Sequence, residues 1–223
     1  MKFALLSYPI NEQTPTYGNK NNVLISSDKA IGSGDSVNES RIELPLHAGT
    51  HIDFPKHFYL NGQTLEDYPI SYWMCSSPAL VEVEPHQYLV KEEIIEKLEM
   101  FPPELNPDII LIKVKGVAER QSTAFWEYNY GLHRELAIYI RTRFPGVRLL
   151  GINSISLTSF QHRDEGRKAH LEFLNPEYPI LIIEDMDLSA VNGRSLIKKI
   201  MVIPLRVNGV DGVPVSIIAE INN

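Results

Sequence analysis

Cysteine is almost missing from this 223-residue chain: Cys75 stands alone, so no internal disulfide can form, and a lone thiol fits a reducing compartment. Long apolar runs are missing too. None approaches the ~18 residues needed to span a bilayer, so no membrane partner is expected. The opening MKFALLSYPINEQ lacks an apolar core followed by a small-residue cleavage site, which argues against a signal peptide and makes cytoplasmic the default expectation. Basic residues are in deficit. Lys+Arg number 21 against 28 Asp+Glu, a net charge of −7, which argues against a protein that grips nucleic-acid phosphates. There is no G-x-S-x-G elbow, so a Ser–His–Asp triad ranks low. GSG at 32–34 lacks both the GK[ST] ending and the strand-then-helix setting of a phosphate loop. No repeat, low-complexity tract or Pro/Ser/Gly-rich linker divides the chain, so one domain over 1–223 is expected.

What is present is ordinary globular composition, 43% hydrophobic and 22% charged, enough for a substantial core. KFALLSY (2–8) reads as a short buried strand. Residues 10–40 read as a polar, turn-rich surface excursion, and RIELPLH (41–47) as a strand entering the next segment. PALVEVEP (78–85) alternates apolar with acidic residues, the pattern of a half-buried strand. VKEEIIEKLEMF (90–101) keeps its apolar residues on one helical face until Pro102 and Pro103 stop it. DIILIKV (108–114), VRLLGI (147–152) and YPILIIED (178–185) are apolar strands. Residues 124–143 have the periodicity of one long amphipathic helix. IKKIMVIPLRV and VPVSIIAEI, joined through NGVDG, predict a closing hairpin. The fold class that follows is α/β with a mixed β-sheet.

Within LHAGTHIDFPKHF lie three of the seven histidines and an aspartate: His47, His51, Asp53 and His57. All four positions are odd, so an extended segment would put them on one face. Pro55 shares that parity and forbids a continuous central strand, which predicts a strand end or loop whose side chains converge. Imidazole and carboxylate together suit zinc, manganese or iron, and three or fewer ligands from one segment leave positions open for water. Any one of these histidines, taken alone, reads better as a surface residue or a satisfied core residue. The group reads better as a metal site, because burying so many titratable groups together is costly without compensation.

HAGTHIDFPKH fits H-x-G-T-H-x-D-x-P-x-H, and the chain on this ground resembles the cyclase family of metal-dependent hydrolases, which includes bacterial kynurenine formamidases and is similar to isatin hydrolases. Four further blocks follow in order: LSYPINEQTPTYG (6–18), LLGINSISL (149–157), AHLEFL with PILIIEDMDL, and IPLRVNGVDGVPVSIIAEI (203–221). The resemblance implies a swivelling β/β/α arrangement, commonly dimeric, hence a homodimer or higher homo-oligomer. It implies His47, His51 and Asp53 as metal ligands, His170 and Glu184 as the downstream ligands, and His57 as general acid/base. Asp53 would bridge if two ions bind. The implied cofactor is zinc, alternatively manganese, one or two ions per chain. The implied substrate is a small molecule, an aryl formamide such as N-formylkynurenine, with an isatin-like lactam, another ester or ring, a cyclisation or dehydration, or loss of catalysis as the alternatives. Leu5, Asn153, Asp185 and Ser216 depart from the family pattern without removing a ligand. The His170–Glu184 separation is longer than the family's, which leaves His162 and Glu172 as substitutes.

Elsewhere, His86 reads as a solvated loop residue, His133 as structural, and Cys75 as a buried inert thiol. Tyr17, Phe54, Tyr59 and Trp73 flank the motifs as possible walls of an aromatic pocket, although aromatics so placed are more often ordinary packing.

Overall fold

The structure, a computed structural model, describes residues 2–19 and 22–222. In chain order they form β1 (Lys2–Leu5), β2 (Leu24–Lys29), β3 (Glu39–Glu43), β4 (His51–Asp53), β5 (Met74–Cys75), β6 (Pro78–Val83), β7 (Leu89–Val90), α1 (Glu92–Glu99), β8 (Ile109–Val114), α2 (Ala124–Glu127), β9 (Gly131–Leu132), α3 (Glu135–Arg143), β10 (Leu149–Ile152), α4 (Arg163–Phe173), β11 (Leu181–Glu184), β12 (Leu196–Pro204) and β13 (Gly212–Asn222).

Nine of these strands make one mixed sheet in the order β5-β12-β13-β4-β11-β10-β8-β6, with β1 added along β13. β6, β8, β10 and β11 run parallel, and IILIKV, LLGI and LIIE are buried almost throughout, as expected of parallel strands covered on both faces. The amphipathic α1 buries Ile94 and Leu98, and α4 buries Ala169 and Phe173. Alternation in β6 puts Ala79, Val81 and Val83 into one contiguous core that also holds Ile52, Ile110, Ile183 and Val213. No helix among the described residues is long and apolar enough to cross a membrane.

Direction reverses at β4, which is antiparallel to β11 on one side and to β13 on the other. It is three residues long because Pro55 follows; Pro55–His57 turn out of the sheet as one turn of 3-10 helix. Register does the rest. His51 lies opposite Glu184 on β11, and Asp53 lies opposite Gly212 on β13. Strand periodicity sends Ile52 to the core and His51 and Asp53 together to the other face.

Three expectations are corrected. The helix over 124–143 is broken: α2 ends at Glu127, Gly131 and Leu132 form β9, and α3 starts at Glu135. The buried Asn129 side chain explains the break, since it donates to Thr158 O and accepts from the Phe160 N–H. A 3.6-residue count cannot see such long-range partners. β1 is a strand but not a buried one: it adds to the edge of β13 and leaves Leu5 62% exposed. RIELPLH does not run into the motif either. β3 pairs with β2 in an exposed hairpin, and from Pro45 the chain turns, with the Ala48 N–H donating to Pro45 O.

Candidate metal centre

His51, Asp53, His170 and Glu184 meet in one buried cluster, each less than 5% exposed. They come from three elements: β4 supplies the first two, α4 presents His170 from its last turn, and β11 ends on Glu184. His51 Nε2 lies 3.4 Å from Asp53 Oδ1 and 3.4 Å from Glu184 Oε2. His170 Nε2 lies 3.6 Å from Asp53 Oδ2 and 3.2 Å from Glu184 Oε1. Most of these separations exceed the ~2.7–3.2 Å of an N–H···O bond. They match the spacing of ligands around a shared ion, since donors at ~2.0–2.2 Å in a tetrahedral shell sit about 3.3–3.6 Å apart.

The far sides of the imidazoles agree. His51 Nδ1 is 2.8 Å from Gly49 O, and His170 Nδ1 is 2.9 Å from Gly166 O. A carbonyl can only accept, so Nδ1–H donates and each Nε2 turns toward the carboxylates. A bare Nε2 lone pair facing carboxylate lone pairs is repulsive unless a cation lies between them. Where that cation is a proton, it stays: burial pushes the His170 pKa down, but Asp53 and Glu184 outweigh it and lift it to about 10. His51 is raised by Glu184 and Asp53 against the same burial. Burial and Asp53 push Glu184 up, yet the imidazoles bring it to about 2, and Asp53 is likewise held well below the usual carboxylate range. The donor set therefore fits a divalent ion.

His47 joins from the turn before β4. Its Nδ1 is 2.8 Å from Asp53 Oδ1 and its Nε2 is 2.9 Å from Asp211 Oδ2. Two groups of donors thus share Asp53: His47 and His51 on one side, His170 and Glu184 on the other. Asp211, in the hairpin turn before β13, also accepts from His57 Nδ1 at 2.8 Å. No hydrogen bond to His57 Nε2 occurs among the described residues, and His57 lines a cavity of about 320 Å³ with Tyr17, Phe58, Ile155 and the cluster itself. Glu184 Oε1 is further held by the Leu157 N–H and the Ser156 hydroxyl.

Every proposed site residue is thus at this place. The substitutes are not: His162 is exposed ahead of α4, and Glu172 pairs with Arg141. Tyr17 is a cavity wall, whereas Phe54 and Trp73 are core and the Tyr59 hydroxyl donates to Leu171 O. His86 is exposed, and His133 sits 3.5 Å from Glu165, away from the cluster. Burial pushes the Cys75 thiol up to about 12, leaving it inert. Two departures have structural explanations. Asp185 sits at φ 50° and meets Arg120 in a buried two-pronged ion pair, while Asn153 ties to both backbone groups of Val114.

Asp211 and Gly212 were missed. DG inside NGVDG carries only turn chemistry in sequence. Yet a Cβ built on Gly212 would collide with Cε1 of His47, so the residue opposite Asp53 must be bare for that imidazole to fit.

A profile described as putative cyclase matches residues 5–158. A kynurenine formamidase of Bacillus thuringiensis subsp. konkukian is 24% identical, over 96% of this chain and 95% of its own. A solved structure described as a potential metal-dependent hydrolase with cyclase activity superposes with a TM-score of 0.75 at 23% identity, covering 98% of this chain and 96% of that one. Isatin hydrolase A from Labrenzia aggregata, bound to benzyl benzoate, superposes with a TM-score of 0.75 at 14% identity, over 98% and 93%.

Proposed function

The chain belongs to the putative cyclase family, and from that premise we propose that it is a metal-dependent hydrolase of C–N bonds, acting on an aryl formamide such as N-formylkynurenine. The observation that carries this is the set of 3.2–3.6 Å separations among His51, Asp53, His170 and Glu184, beside the His57 imidazole, whose Nε2 has no hydrogen-bond partner among the described residues. His47 completes the ligand set, and zinc or manganese suits its mixture of imidazole and carboxylate. Such an ion polarises a carbonyl and makes water nucleophilic at neutral pH.

The chain's own groups do the remaining work. Asp211 accepts from Nδ1–H of His57 and so leaves Nε2 to take a proton from the attacking water. The water oxygen bonds to the formyl carbon, the C–N bond breaks, and the same Nε2 returns its proton to the departing nitrogen. Formate and an aryl amine leave. Asp211 also accepts from Nε2–H of His47, so one carboxylate orients a ligand and the general acid/base together. Phe58, stacked on His170 at 4.8 Å, offers a flat wall to an aryl ring.

Metal analysis of purified protein, paired with a panel of N-formylkynurenine, isatin and simple esters, tests the reading. Formamide cleavage that disappears on chelation supports it. A metal-replete protein that opens isatin and leaves the formamide intact replaces the substrate, and one inert toward the whole panel removes the hydrolase assignment.

Proton release gives a second check. His47 and His170 are both raised to about 10, from an ordinary value of 6.5, so both are protonated at pH 8 in the metal-free protein. Metal uptake there is expected to expel about two protons per chain, read as a dependence of the calorimetric heat on buffer ionisation enthalpy. Heats independent of buffer would contradict it. The sign for stability follows from the same shifts. These imidazoles stabilise the metal-free fold fully below pH 6.5, and that contribution is lost as pH rises through about 10. The metal-free melting temperature should therefore fall over that window.

Gly212→Ala should displace His47 without touching a donor atom. Metal affinity is expected to drop by about 10–100-fold, the usual effect of disturbing a ligand's orientation. Wild-type affinity by competition titration would mean that His47 is not a ligand.

A further inference from the structure

The Tyr17 hydroxyl, in the wall of the cavity, is buried and meets no partner at full hydrogen-bond geometry among the described residues, the Arg163 guanidinium being the polar group that approaches it. Buried polar atoms are nearly always paired, so an unpaired one on a cavity wall marks a place for a ligand's polar group. Phe160 packs against this tyrosine, ring centroids 5.8 Å apart, and the Arg163 guanidinium lies over the Phe160 ring at 3.8 Å. That stacking holds the cation beside Tyr17: burial raises the hydroxyl's pKa, and the Arg163 charge opposes the rise.

Arg163 opens α4, is exposed, and makes no ion pair among the described residues. The carboxylates next to it in sequence are Asp164 and Glu165, and Glu165 is engaged by His133 and Lys168 at 3.5 and 3.9 Å. Deeper in, Asp53 and Glu184 are committed to the imidazoles of His51 and His170 and to the ion they would hold, so that side of the cavity has no free side-chain cation among the described residues for a substrate carboxylate. The Arg163 guanidinium, stacked on Phe160 beside the Tyr17 wall and without an ion pair among the described residues, is the local cation that can take that group, and its planar fork suits a carboxylate.

We propose that Arg163 and the Tyr17 hydroxyl form an anion subsite that holds a carboxylate on the aryl portion of the substrate, with Phe58 and Ile155 against its ring. This assignment deepens the hydrolase reading and rests on it for turnover, but not for binding. It favours acidic aryl formamides over neutral ones of the same size and over a neutral lactam such as isatin.

The test uses the metal-loaded full chain with N-formylanthranilate and formanilide, which share the ring and the formamide and differ by one carboxylate. Arg163→Gln is expected to raise KM for the acid about tenfold with kcat little changed, and to leave formanilide unaffected. Arg163→Lys should recover part of the loss, and Tyr17→Phe should add a smaller one of the same kind. Equal effects on both substrates, or none on either, overturn the subsite. Binding of anthranilate followed by its fluorescence separates the two readings. If neither formamide is cleaved, the hydrolase reading fails, while anthranilate binding weakened by Arg163→Gln still supports the subsite. Anthranilate bound equally by both proteins overturns it.

Discussion

Asp53→Ala is expected to strip the protein of metal and abolish turnover, more completely than loss of any other single residue of the cluster. Both oxygens of this carboxylate are committed, Oδ1 toward His47 and His51 and Oδ2 toward His170, and the residue is 1% exposed. Every candidate ion position in the buried cluster uses it. Its removal takes a ligand from each position at once, so the loss of affinity should exceed the ~10–100-fold typical of disturbing an outer-sphere partner. It also leaves the buried imidazoles of His51 and His170, with the part-exposed His47 beside them, facing one remaining buried carboxylate, Glu184, and breaking a buried charge pair costs about 3–5 kcal/mol. Asp53→Asn keeps the shape and one acceptor, so it separates the lost ligand from the lost packing. Glu184→Gln is the informative partner. Glu184 belongs to only one of the two donor groups, so that variant should give up one ion of two where two are bound. Elemental analysis after dialysis reads both. Full occupancy in Asp53→Ala would end the shared-ligand assignment.

The legible parts of this protein were those with short-range causes. Alternation in PALVEV, the apolar runs of β8, β10 and β11, and the closing hairpin all depend on neighbours within a few residues, and each appears where expected. The H-x-G-T-H-x-D-x-P-x-H segment was legible for a related reason. Its parity puts His51 and Asp53 on one face, and its proline ends β4 so that His57 can turn back toward them. What sequence could not supply was register. Glu184 faces His51 because β11 pairs with β4 at that position, and Gly212 is bare because β13 brings it opposite Asp53. Asp211 lies 154 residues from His57, inside a dipeptide whose obvious meaning is a turn. The broken helix fails the same way: 124–143 carries helical periodicity, and only the buried Asn129, bonded to residues about 30 positions away, shows why it stops.

His57→Ala should lower kcat by ~10²–10⁴ while leaving metal content unchanged, the signature of a general acid/base and not of a ligand. Its ring is anchored from one side only. Nδ1 is taken by Asp211, no hydrogen bond to Nε2 occurs among the described residues, and the side chain is 30% exposed, so truncation should cost the fold little. Asp211 is held far below the usual carboxylate range by His47 and His57, so it stays ionised at any working pH and keeps His57 in the tautomer that presents Nε2. Asp211→Asn should therefore lower turnover less than His57→Ala, and should weaken metal binding as well, because the same oxygen orients His47. The two variants differ in kind. One removes the proton carrier and spares the ion; the other loosens both by a smaller factor. Added imidazole should restore part of the activity of His57→Ala and none of Asp53→Ala, since a soluble base can replace a proton shuttle but cannot replace a buried ligand. Metal lost from His57→Ala would make His57 a ligand, and unchanged turnover with metal retained would leave the protein a metal binder without this proton chemistry.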